Sequence, residues 1–398
     1  MITVDEAYAI LDLAVAPLPP EDVPLRQARD RVVAADVASD VDWPPFDTSA
    51  MDGYAVRADE VRGEGALRER PGLVAAGDPP PTPLSPGEAV RLMTGAPLPA
   101  GADAVVPVEL SRREGGRVVF ERIPEAGAHL RRRGESVARG TVLLRAGDRL
   151  GARAVALAAL AGKDPVAVRR RPRVAVAATG NELVSADGRP AAGKMRDSNG
   201  PMLEALCGAR GWPVVRLERV ADEPAAVARL FDGFDDADVL VTSGGVSAGD
   251  LDLLPAAAQT MGWEILFHRV AVRPGKPIAF ARRGGRFWFG LPGNPVSASV
   301  TFHLFVRRAL DRMEGVDPPG APAVAARLVS ALGPPGPRET YQDAVLSEKD
   351  GLRRVEALET AGSHDIAAHA RANALILLPA GAGPLERESV VTCVLLDR

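Results

Sequence analysis

Apolar residues recur at three- and four-residue intervals near the start of the chain, at Val4, Ala7, Ile10, Leu11 and Ala14. This spacing predicts a helix over residues 3–16 with one buried face. Thr3 followed by Glu6 is the capping-box pattern of a helix start, and Pro17 cannot continue the helix. The chain is therefore expected to begin with an amphipathic helix.

The apolar pattern changes to short Val-rich runs punctuated by glycine and proline between about 36 and 150. Examples are Tyr54–Val56, Ala89–Leu92, Ala104–Val108 and Arg117–Phe120. Runs of this length and composition predict a β-rich region. Residues 151–162 return to a helical pattern that ends at Gly162.

From about 172, continuously apolar strands alternate with helical segments. The predicted strands are 173–177, 214–220, 238–242, 276–281 and 286–290, and the predicted helices are 199–210, 224–233, 252–261 and 295–314. This alternation predicts a doubly wound α/β domain with a parallel sheet, which binds ligands at the carboxyl ends of its strands. Alternation from about 323 onward predicts a small C-terminal β-barrel or sandwich.

A chain of 398 residues is expected to divide into two to four domains. We predict a discontinuous helical and linker domain over 1–40 and 134–168, in which the N-terminal helix packs with the second segment. The other predicted domains are a β-rich domain over 41–133, the α/β domain over 169–316 and a C-terminal β-barrel over 317–398.

Charge and cysteine content narrow the functional classes. A net charge of -4 argues against a general nucleic-acid-binding protein. Cys207 and Cys393 do not make a disulfide framework or a metal site. The N-terminus lacks a signal-peptide pattern, and no apolar run reaches the length of a membrane span. The composition predicts a cytoplasmic protein that binds neither nucleic acid nor membranes.

Two Gly-rich loops follow predicted strands of the α/β domain. One contains Thr179, Gly180 and Glu182, and the other contains Ser243, Gly244, Gly245, Ser247, Gly249 and Asp252. Glycines let backbone N–H groups approach an anion, and hydroxyls add donors. One such loop is ordinary in an α/β domain, but two at the same sheet edge, both with carboxylates, indicate a phosphate or pterin site.

Two later turns place cations among prolines and glycines. The first contains Arg273, Lys276 and Pro277, and the second contains Pro292, Gly293, Asn294, Pro295 and Ser297. Two Pro-Gly hairpin turns would explain the glycines and prolines, but they do not explain Lys276. We interpret the pair of turns as an anion clamp, with backbone donors at the start of the following helix.

Together these segments resemble the molybdopterin molybdotransferases, the bacterial proteins related to the C-terminal region of gephyrin. The resemblance covers nearly the whole chain and follows its order: Ser49–Val56, Met93–Val106, Arg131–Gly134, Thr179–Leu183, Asp197–Asn199, Ser243–Asp252, Arg273–Pro277 and Leu291–Ser297. Each segment alone is a weak signal, and the ordered set carries the assignment.

The resemblance implies an elongated homodimer of four-domain subunits with an α/β molybdopterin-binding-like domain and an active site shared across the dimer. It implies that adenylylated molybdopterin and molybdate are the substrates, that AMP is released, and that Mg²⁺ assists. The molybdopterin adenylyltransferase and target molybdoenzymes are the protein partners that it suggests.

The resemblance also implies roles for single residues. The candidate catalytic residues are Asp52, Thr94, Glu182, Asp222, Asp252 and Lys276. Glu182, Asp222 and Asp252 are the expected metal ligands. Molybdate is expected to contact Arg273, Lys276, Ser297 and Ser363. Asp52 and Thr94, from the β-rich domain, are expected to close over the substrate from the other subunit.

Several positions depart from the family's pattern. Ser136 and Asn181 stand where aspartates are usual, and Arg269 and Arg273 stand where lysines are frequent. Asp343 occupies the place of an arginine, where a carboxylate would repel molybdate unless Arg338 or another cation takes over.

Three other functions remain open. One is a catalytically weakened paralogue that binds molybdopterin or acts as a scaffold, another is a receptor-clustering scaffold, and the third is the adenylylation step itself. The five histidines show no metal-ligand spacing, and the sequence shows no Ser-His-Asp arrangement. The run Arg131–Arg133 is interpreted as a solvated or interdomain face.

Overall fold

The computed structural model describes residues 1–62, 66–246 and 253–396. The predicted site residues Ser247, Gly249 and Asp252 lie outside the described residues. The described chain forms a β-rich N-terminal region, an α/β unit and a C-terminal barrel, which confirms the predicted fold class.

The sheet of the α/β unit runs in the spatial order Val214–Val220, Val174–Thr179, Val239–Ser243, Arg286–Leu291, Ala279–Arg283 and Glu264–His268. The first four strands are parallel, and the last two join antiparallel. The prediction of a parallel sheet is therefore wrong at this edge. The reason is the two-residue turn Gly284–Gly285, whose φ angles of 55° and 85° suit a tight hairpin.

Helices cover both faces of this sheet. They are Asn199–Ala209, Pro224–Asp232, Leu253–Thr260 and a continuous helix made of Pro295–Thr301, a π-helical turn at Phe302–Val306 and Arg307–Met313. Val174 and Val176 pack toward the first and last of these helices, whereas Ala175 and Ala177 pack toward the other two. Alternate side chains of one buried strand thus enter two cores.

The N-terminal helix Val4–Ala14 has the predicted capping box, in which Thr3 Oγ1 accepts from Glu6 N at 3.1 Å. Its apolar face joins the core of the α/β unit, where the Tyr8 and Phe305 rings lie 5.7 Å apart. Arg308 Nη2 donates to Asp12 at 2.5 Å. The helix therefore packs against the long helix, and not with residues 134–168 as we expected.

Short strand pairs instead tie the early chain to residues 134–168. Pro20–Val23 pairs with Val166–Arg169, and Val37–Ala38 pairs with Val142–Leu144. The helix Ala152–Leu160 packs beside them in a small separate core. The domain limits themselves stay a prediction.

The β-rich region has a sheet in the order Ala104–Pro107, Gly53–Val56, Glu88–Leu92, Ala66–Val74, Arg117–Phe120 and Ser111–Glu114. Thr48–Ser49 pairs with Leu130–Arg131 beside it. Gly53 is required by close packing, because a Cβ there would lie 2.2 Å from the carbonyl oxygen of Val106.

The C-terminal strands close into a barrel in the order Glu339–Lys349, Leu352–Ala357, Ala323–Leu328, Val390–Leu395 and Ala374–Leu378, the last of which pairs again with the first. The short helix Ile366–His369 lies between two of these strands along the chain. Val272–Arg273, from the α/β unit, pairs in parallel with Glu339 and Thr340. None of the helices in the described part of the chain is long and apolar enough to cross a membrane.

Candidate anion-binding active site

A cavity of about 550 Å³ lies where the α/β unit meets the barrel. Among the predicted site residues, those that line it are Arg273, Lys276, Pro277, Pro292, Asn294, Ser297 and Ser363. The barrel strand Glu339–Lys349 and the residues before it add Arg338, Thr340, Gln342 and Asp343. The structure thus brings both predicted turns to one cavity, and the barrel completes its wall.

The cations of the cavity come from the turn Arg273–Pro277 and from the start of the barrel. Gly275 has φ 112°, and a Cβ there would lie 2.3 Å from Thr301 Cγ2, so the turn sits directly on the long helix. The side chains of Arg273 and Lys276 remain exposed. Arg338 donates through Nη1 to the carbonyl oxygen of Val272 at 3.1 Å, which holds its guanidinium beside the same turn.

Hydroxyl and amide groups form the opposite wall. Ser297 is buried in the first turn of the helix that begins at Pro295. Asn294 Nδ2 donates to Ser363 Oγ at 2.8 Å, and Val296 N donates to the Ser363 carbonyl oxygen at 3.2 Å. Cations facing hydroxyls and a helix start are suited to a tetrahedral oxyanion.

The structure contains a Ser-His-Asp arrangement that the sequence did not reveal. His369 Nδ1 lies 2.7 Å from Asp343 Oδ1, and His369 Nε2 lies 2.8 Å from Ser299 Oγ. All three side chains are buried, and Asp343 also lines the cavity. Ser299 is not a lining residue of the cavity. The arrangement therefore holds two domains together and pairs the Asp343 carboxylate, which reduces the repulsion that we expected at this position.

The predicted loops after the parallel strands are hydrogen-bonded to one another. Thr179 Oγ1 donates to the Ser243 carbonyl oxygen at 3.3 Å, and Ser243 Oγ donates to the Pro292 carbonyl oxygen at 3.2 Å. Asn199 Nδ2 donates to Ser243 Oγ at 2.6 Å and to the Gly293 carbonyl oxygen at 2.7 Å. These bonds join the carboxyl edge of the sheet to the Pro292–Pro295 wall of the cavity.

Glycine is required at position 244 by the same packing. Gly244 has φ 96°, and a Cβ there would lie 2.5 Å from the Thr179 carbonyl oxygen. Gly245 also has a positive φ, 66°, and lies against Thr179 and Leu254. A larger residue at either position would therefore separate this loop from Thr179.

Glu182 and Asp222, two of the three predicted metal ligands, lie in loops at this edge. The Glu182 carboxylate folds over Gly180, where a Cβ would lie 2.5 Å from Glu182 Oε2. Asp222 N donates to Asn181 Oδ1 at 3.2 Å, which places Asp222 next to the loop of Glu182. Across residues 1–62, 66–246 and 253–396, no three His, Cys, Asp or Glu side chains group in a way that could hold a metal ion. With Asp252 outside these ranges, the three-carboxylate site stays a prediction.

Asp52 and Thr94 lie together in the β-rich region. Asp52 Oδ1 accepts from Thr94 N at 2.7 Å and from Thr94 Oγ1 at 2.8 Å. The backbone hydrogen bond from Thr94, followed by the hydroxyl bond, lowers the pKa of the Asp52 carboxyl. Both residues are exposed, and neither lines the cavity. We call this pair, together with the exposed side chains of Trp43, Phe46, Met51 and Met93, the Asp52–Thr94 corner.

Two arginines of the basic run Arg131–Arg133 form ion pairs with carboxylates of the same chain. Arg132 Nη1 donates to Asp47 at 2.9 Å, and Arg133 Nε donates to Asp42 at 2.6 Å. A backbone bond from Arg139 and this bond from Arg133 lower the pKa of the Asp42 carboxyl. These contacts agree with a solvated face.

Comparisons with known proteins agree with this geometry. Residues 2–162 match the MoeA N-terminal region (domain I and II), residues 175–312 match a probable molybdopterin binding domain, and residues 325–396 match the MoeA C-terminal region (domain IV). The chain is 37% identical to the molybdopterin molybdenumtransferase of a Nostoc species over 373 residues, covering 91% of this chain and 85% of the relative. The chain belongs to the MoeA family.

Other MoeA relatives match over similar lengths. The molybdopterin molybdenumtransferase of Bacillus subtilis is 34% identical over 387 residues, which cover 94% of this chain and 90% of that protein. The crystal structure of the molybdopterin biosynthesis MoeA protein from Pyrococcus horikoshii OT3 superposes with a TM-score of 0.83 at 27% identity and covers 100% of both chains. The MoeA assignment therefore rests on sequence and fold alike.

The cavity residues that the sequence prediction omitted come mostly from the barrel. Thr340, Gln342 and Thr360 line the cavity and were assigned no role, whereas Arg338 was named only as a cation that could offset Asp343. Asn199 was part of the resemblance but was not assigned a role, and its buried amide joins two loops of the site. A polar residue at the first position of a helix at the carboxyl edge of the sheet was the available signal for Asn199.

Proposed function

We propose that the protein is a molybdopterin molybdenumtransferase, which inserts molybdate into adenylylated molybdopterin and releases AMP to give molybdenum cofactor. The observation that carries this proposal is the cavity in which Arg273, Lys276 and Arg338 face Ser297 and Ser363 beside the glycine-rich loops. The proposal includes a cytoplasmic location and exchange of substrate and product with the adenylyltransferase and target molybdoenzymes.

The cavity is suited to the molybdate dianion. Arg273 and Lys276 present exposed cations on a turn that is fixed against the long helix, so little ordering is needed when the anion binds. A hydrogen bond to a charged group contributes about 1.5–3 kcal/mol. The Ser297 and Ser363 hydroxyls add donors from the opposite wall, and this places molybdate where the dithiolene must reach it.

The loops at the sheet edge are suited to the nucleotide-linked part of the substrate. Gly244 and Gly245 pack against Thr179, which donates to the Ser243 carbonyl oxygen, so two glycines and two hydroxyls lie together at this edge. Glycine N–H groups and hydroxyls of this kind are suited to a phosphate. Glu182 and Asp222 offer the hard oxygen donors that Mg²⁺ prefers, and Asp252 is the third proposed ligand. When bound, Mg²⁺ would reduce the negative charge of the phosphates.

Asp52 and Thr94 are proposed to act from the second subunit of a homodimer. The pair is exposed and lies outside the cavity of its own chain, and the residues directly before Asp52 and Thr94 are the exposed Met51 and Met93. An exposed polar pair in an apolar rim is suited to an interface. In the dimer, the Asp52 carboxylate would then face the substrate held by the other chain.

The deciding experiment is single-turnover release of AMP from adenylylated molybdopterin, with molybdate and Mg²⁺ present or omitted. The proposal expects release that requires both and yields active molybdenum cofactor. Tight substrate binding without molybdate-dependent release would instead identify a binding or scaffold paralogue. Ser136 and Asp343 are the departures that favour this alternative, and the Asp343 carboxylate is hydrogen-bonded to His369.

A further inference from the structure

A second cavity, of about 510 Å³, lies between the N-terminal segments and the α/β unit. Its lining residues are Arg29, Asp30, Arg149, Arg171, Gly208, Ala209, Arg210 and Gly211. Arg171 and Gly211 precede the strands Val174–Thr179 and Val214–Val220, so this cavity is at the amino-terminal edge of the sheet. The candidate active site is at the opposite edge. We call the second cavity the arginine cleft.

Two buried carboxylates lie beneath the cleft. The side chains of Asp311 and Glu314 are 1% and 0% exposed. Arg210 Nη2 lies 3.2 Å from Asp311 Oδ1, and Arg149 Nη2 lies 3.5 Å from Glu314 Oε2. Trp212 Nε1 donates to the same Glu314 oxygen at 3.0 Å. The carboxylates therefore contact one nitrogen each of Arg149 and Arg210, and Arg149 Nη1 donates to the Asp30 carbonyl oxygen at 2.7 Å.

The cations outnumber these carboxylates. Arg149, Arg171 and Arg210 line the cleft, and the buried Arg307 lies 3.7 Å from Asp311 on the inner side. At the rim, Arg29 Nε lies 3.4 Å from Asp30 Oδ2, so the charges of these two side chains cancel. Burial raises the pKa of the Glu314 carboxyl, because it disfavours the charged carboxylate. Glu314 is therefore less able to balance the positive charge of the arginines. The cleft therefore carries excess positive charge.

Arg171 is the least satisfied of these side chains. Its guanidinium lies against the backbone of Gly211, where a Cβ would be 2.8 Å from Cζ. Its ion pair with Glu314 is long, at 3.8 Å, and its guanidinium donates no hydrogen bond to the described residues. The Nε atoms of Arg171 and Arg210 are buried without a hydrogen-bond partner there. Guanidinium groups with free donors in a cavity are suited to an anion.

We propose that the arginine cleft binds a phosphate-sized oxyanion, separately from the catalytic cavity. Guanidinium groups that converge from several directions match a tetrahedral anion with several oxygens. The cleft presents no exposed aromatic ring, because Trp212 is buried, so it recognises the anion rather than an organic group. The helix Asn199–Ala209 ends here, and its Cys207 and Gly208 carbonyl oxygens already accept backbone hydrogen bonds.

The anion would connect two parts of the chain. Arg149 belongs to the N-terminal part of the chain, in which Pro20–Val23 pairs with Val166–Arg169, whereas Arg210 follows a helix of the α/β unit. The arginines of the two parts repel each other, and an oxyanion bound between them would attract both. Binding is therefore expected to raise the unfolding temperature as well as to saturate at low concentration.

The test is calorimetric titration of the full chain with inorganic phosphate at constant ionic strength. Phosphate can also enter the catalytic cavity, so the native chain is compared with Arg171→Gln, Lys276→Gln and the double variant. We expect two sites in the native chain, at least a tenfold weaker cleft site in Arg171→Gln, and loss of the other site in Lys276→Gln. Arg29→Gln, at the exposed rim, is the matched control and should change affinity less than threefold.

Equal phosphate affinity and stoichiometry in the native chain and Arg171→Gln would overturn the proposal, as would a single native site that Lys276→Gln removes. Arg171→Lys is the second variant, for the case in which Arg171→Gln does not fold. It retains the positive charge but loses the guanidinium group, so it should bind phosphate with an affinity between those of the native chain and a variant without the charge. Titration with glycerol 3-phosphate distinguishes a free anion from a carried phosphate group. Either ligand binding at the Arg171-dependent site supports the proposal. If inorganic phosphate binds more tightly, the natural ligand is a free anion, and if glycerol 3-phosphate binds more tightly, it is a phosphate group carried by a larger molecule.

Discussion

The catalytic cavity and the Asp52–Thr94 corner were both predicted from the sequence, but the structure presents them differently. The cavity is complete within one chain, with cations on one wall and hydroxyls on the other. The corner is an exposed hydrogen-bonded pair on another part of the molecule. Under the proposed function, molybdate can bind to the cavity of one chain, whereas Asp52 and Thr94 contribute to the reaction only when a second chain associates.

This difference separates binding from turnover. Changes in the cavity should affect how tightly molybdate binds, because its charges are preformed there. Changes at the corner should leave molybdate binding intact and affect the reaction. The following predictions test that separation, beginning with the largest effect.

Lys276→Gln should reduce molybdate-dependent AMP release about 10–150-fold, since it removes a cation from the preformed cavity, where a charged hydrogen bond is worth about 1.5–3 kcal/mol. Molybdate affinity, measured by calorimetry, should fall in parallel. Arg269→Gln is the control, because Arg269 lies near the same turn and does not line the cavity. If Lys276→Gln binds molybdate as tightly as the native chain does, molybdate does not bind in this cavity.

Asp52→Asn should reduce AMP release about 10–100-fold, the range for loss of an acid–base or charge-positioning group, with molybdate affinity unchanged. Mixing this variant with Lys276→Gln tests where the corner acts. If Asp52 serves the other subunit, each mixed dimer regains one intact site, and activity should return toward about one quarter of native by random assortment. No recovery in dimers shown to have exchanged subunits would place both residues in one chain's site.

His369→Gln should weaken molybdate binding about tenfold, because a buried carboxylate that loses its partner becomes an uncompensated charge beside the anion. Adding Asp343→Asn to this variant removes the charge and should restore affinity to within about threefold of native, about 0.7 kcal/mol. A purely structural role would make the double variant at least as weak as the single one. Affinity is measured by the same calorimetric titration.

Thr94→Ala should raise the pKa of Asp52, since it removes the hydroxyl bond and leaves the backbone bond. The pKa of Asp52 is depressed in the folded chain, so the stabilising bonds are present above the unfolded-state pKa and are lost as pH falls through the folded-state pKa. Carboxyl NMR titration checks the shift. Identical Asp52 titration curves in the two proteins would show that the hydroxyl does not influence this carboxylate.

The sequence predicted those parts of the molecule that depend on local pattern. The continuous apolar run Val174–Thr179 and the loops at Thr179 and Ser243 could be placed, because burial on both faces and the ends of strands leave a direct signature in composition. The long helix after Asn294 was visible for the same reason. Edge strand Glu264–His268 was missed, since a partly exposed edge strand has a weaker pattern.

Contacts between domains could not be predicted in this way. Ser299, Asp343 and His369 come from a helix, a barrel strand and a short helix, and nothing in their neighbouring residues indicates that they meet. The lining residues Arg338 and Thr340 depend similarly on how the barrel docks. The N-terminal helix was assigned the wrong neighbour because an amphipathic pattern shows that a face is buried but not what covers it.

The pairing of Val272 and Arg273 with Glu339 and Thr340 makes the first cation turn an extension of the barrel sheet. Ser297 belongs instead to the helix that is buried in the α/β unit. Rotation of the barrel would therefore move Arg273 and Arg338 together and change their separation from Ser297. The width of the opening would therefore follow the angle between the barrel and the α/β unit.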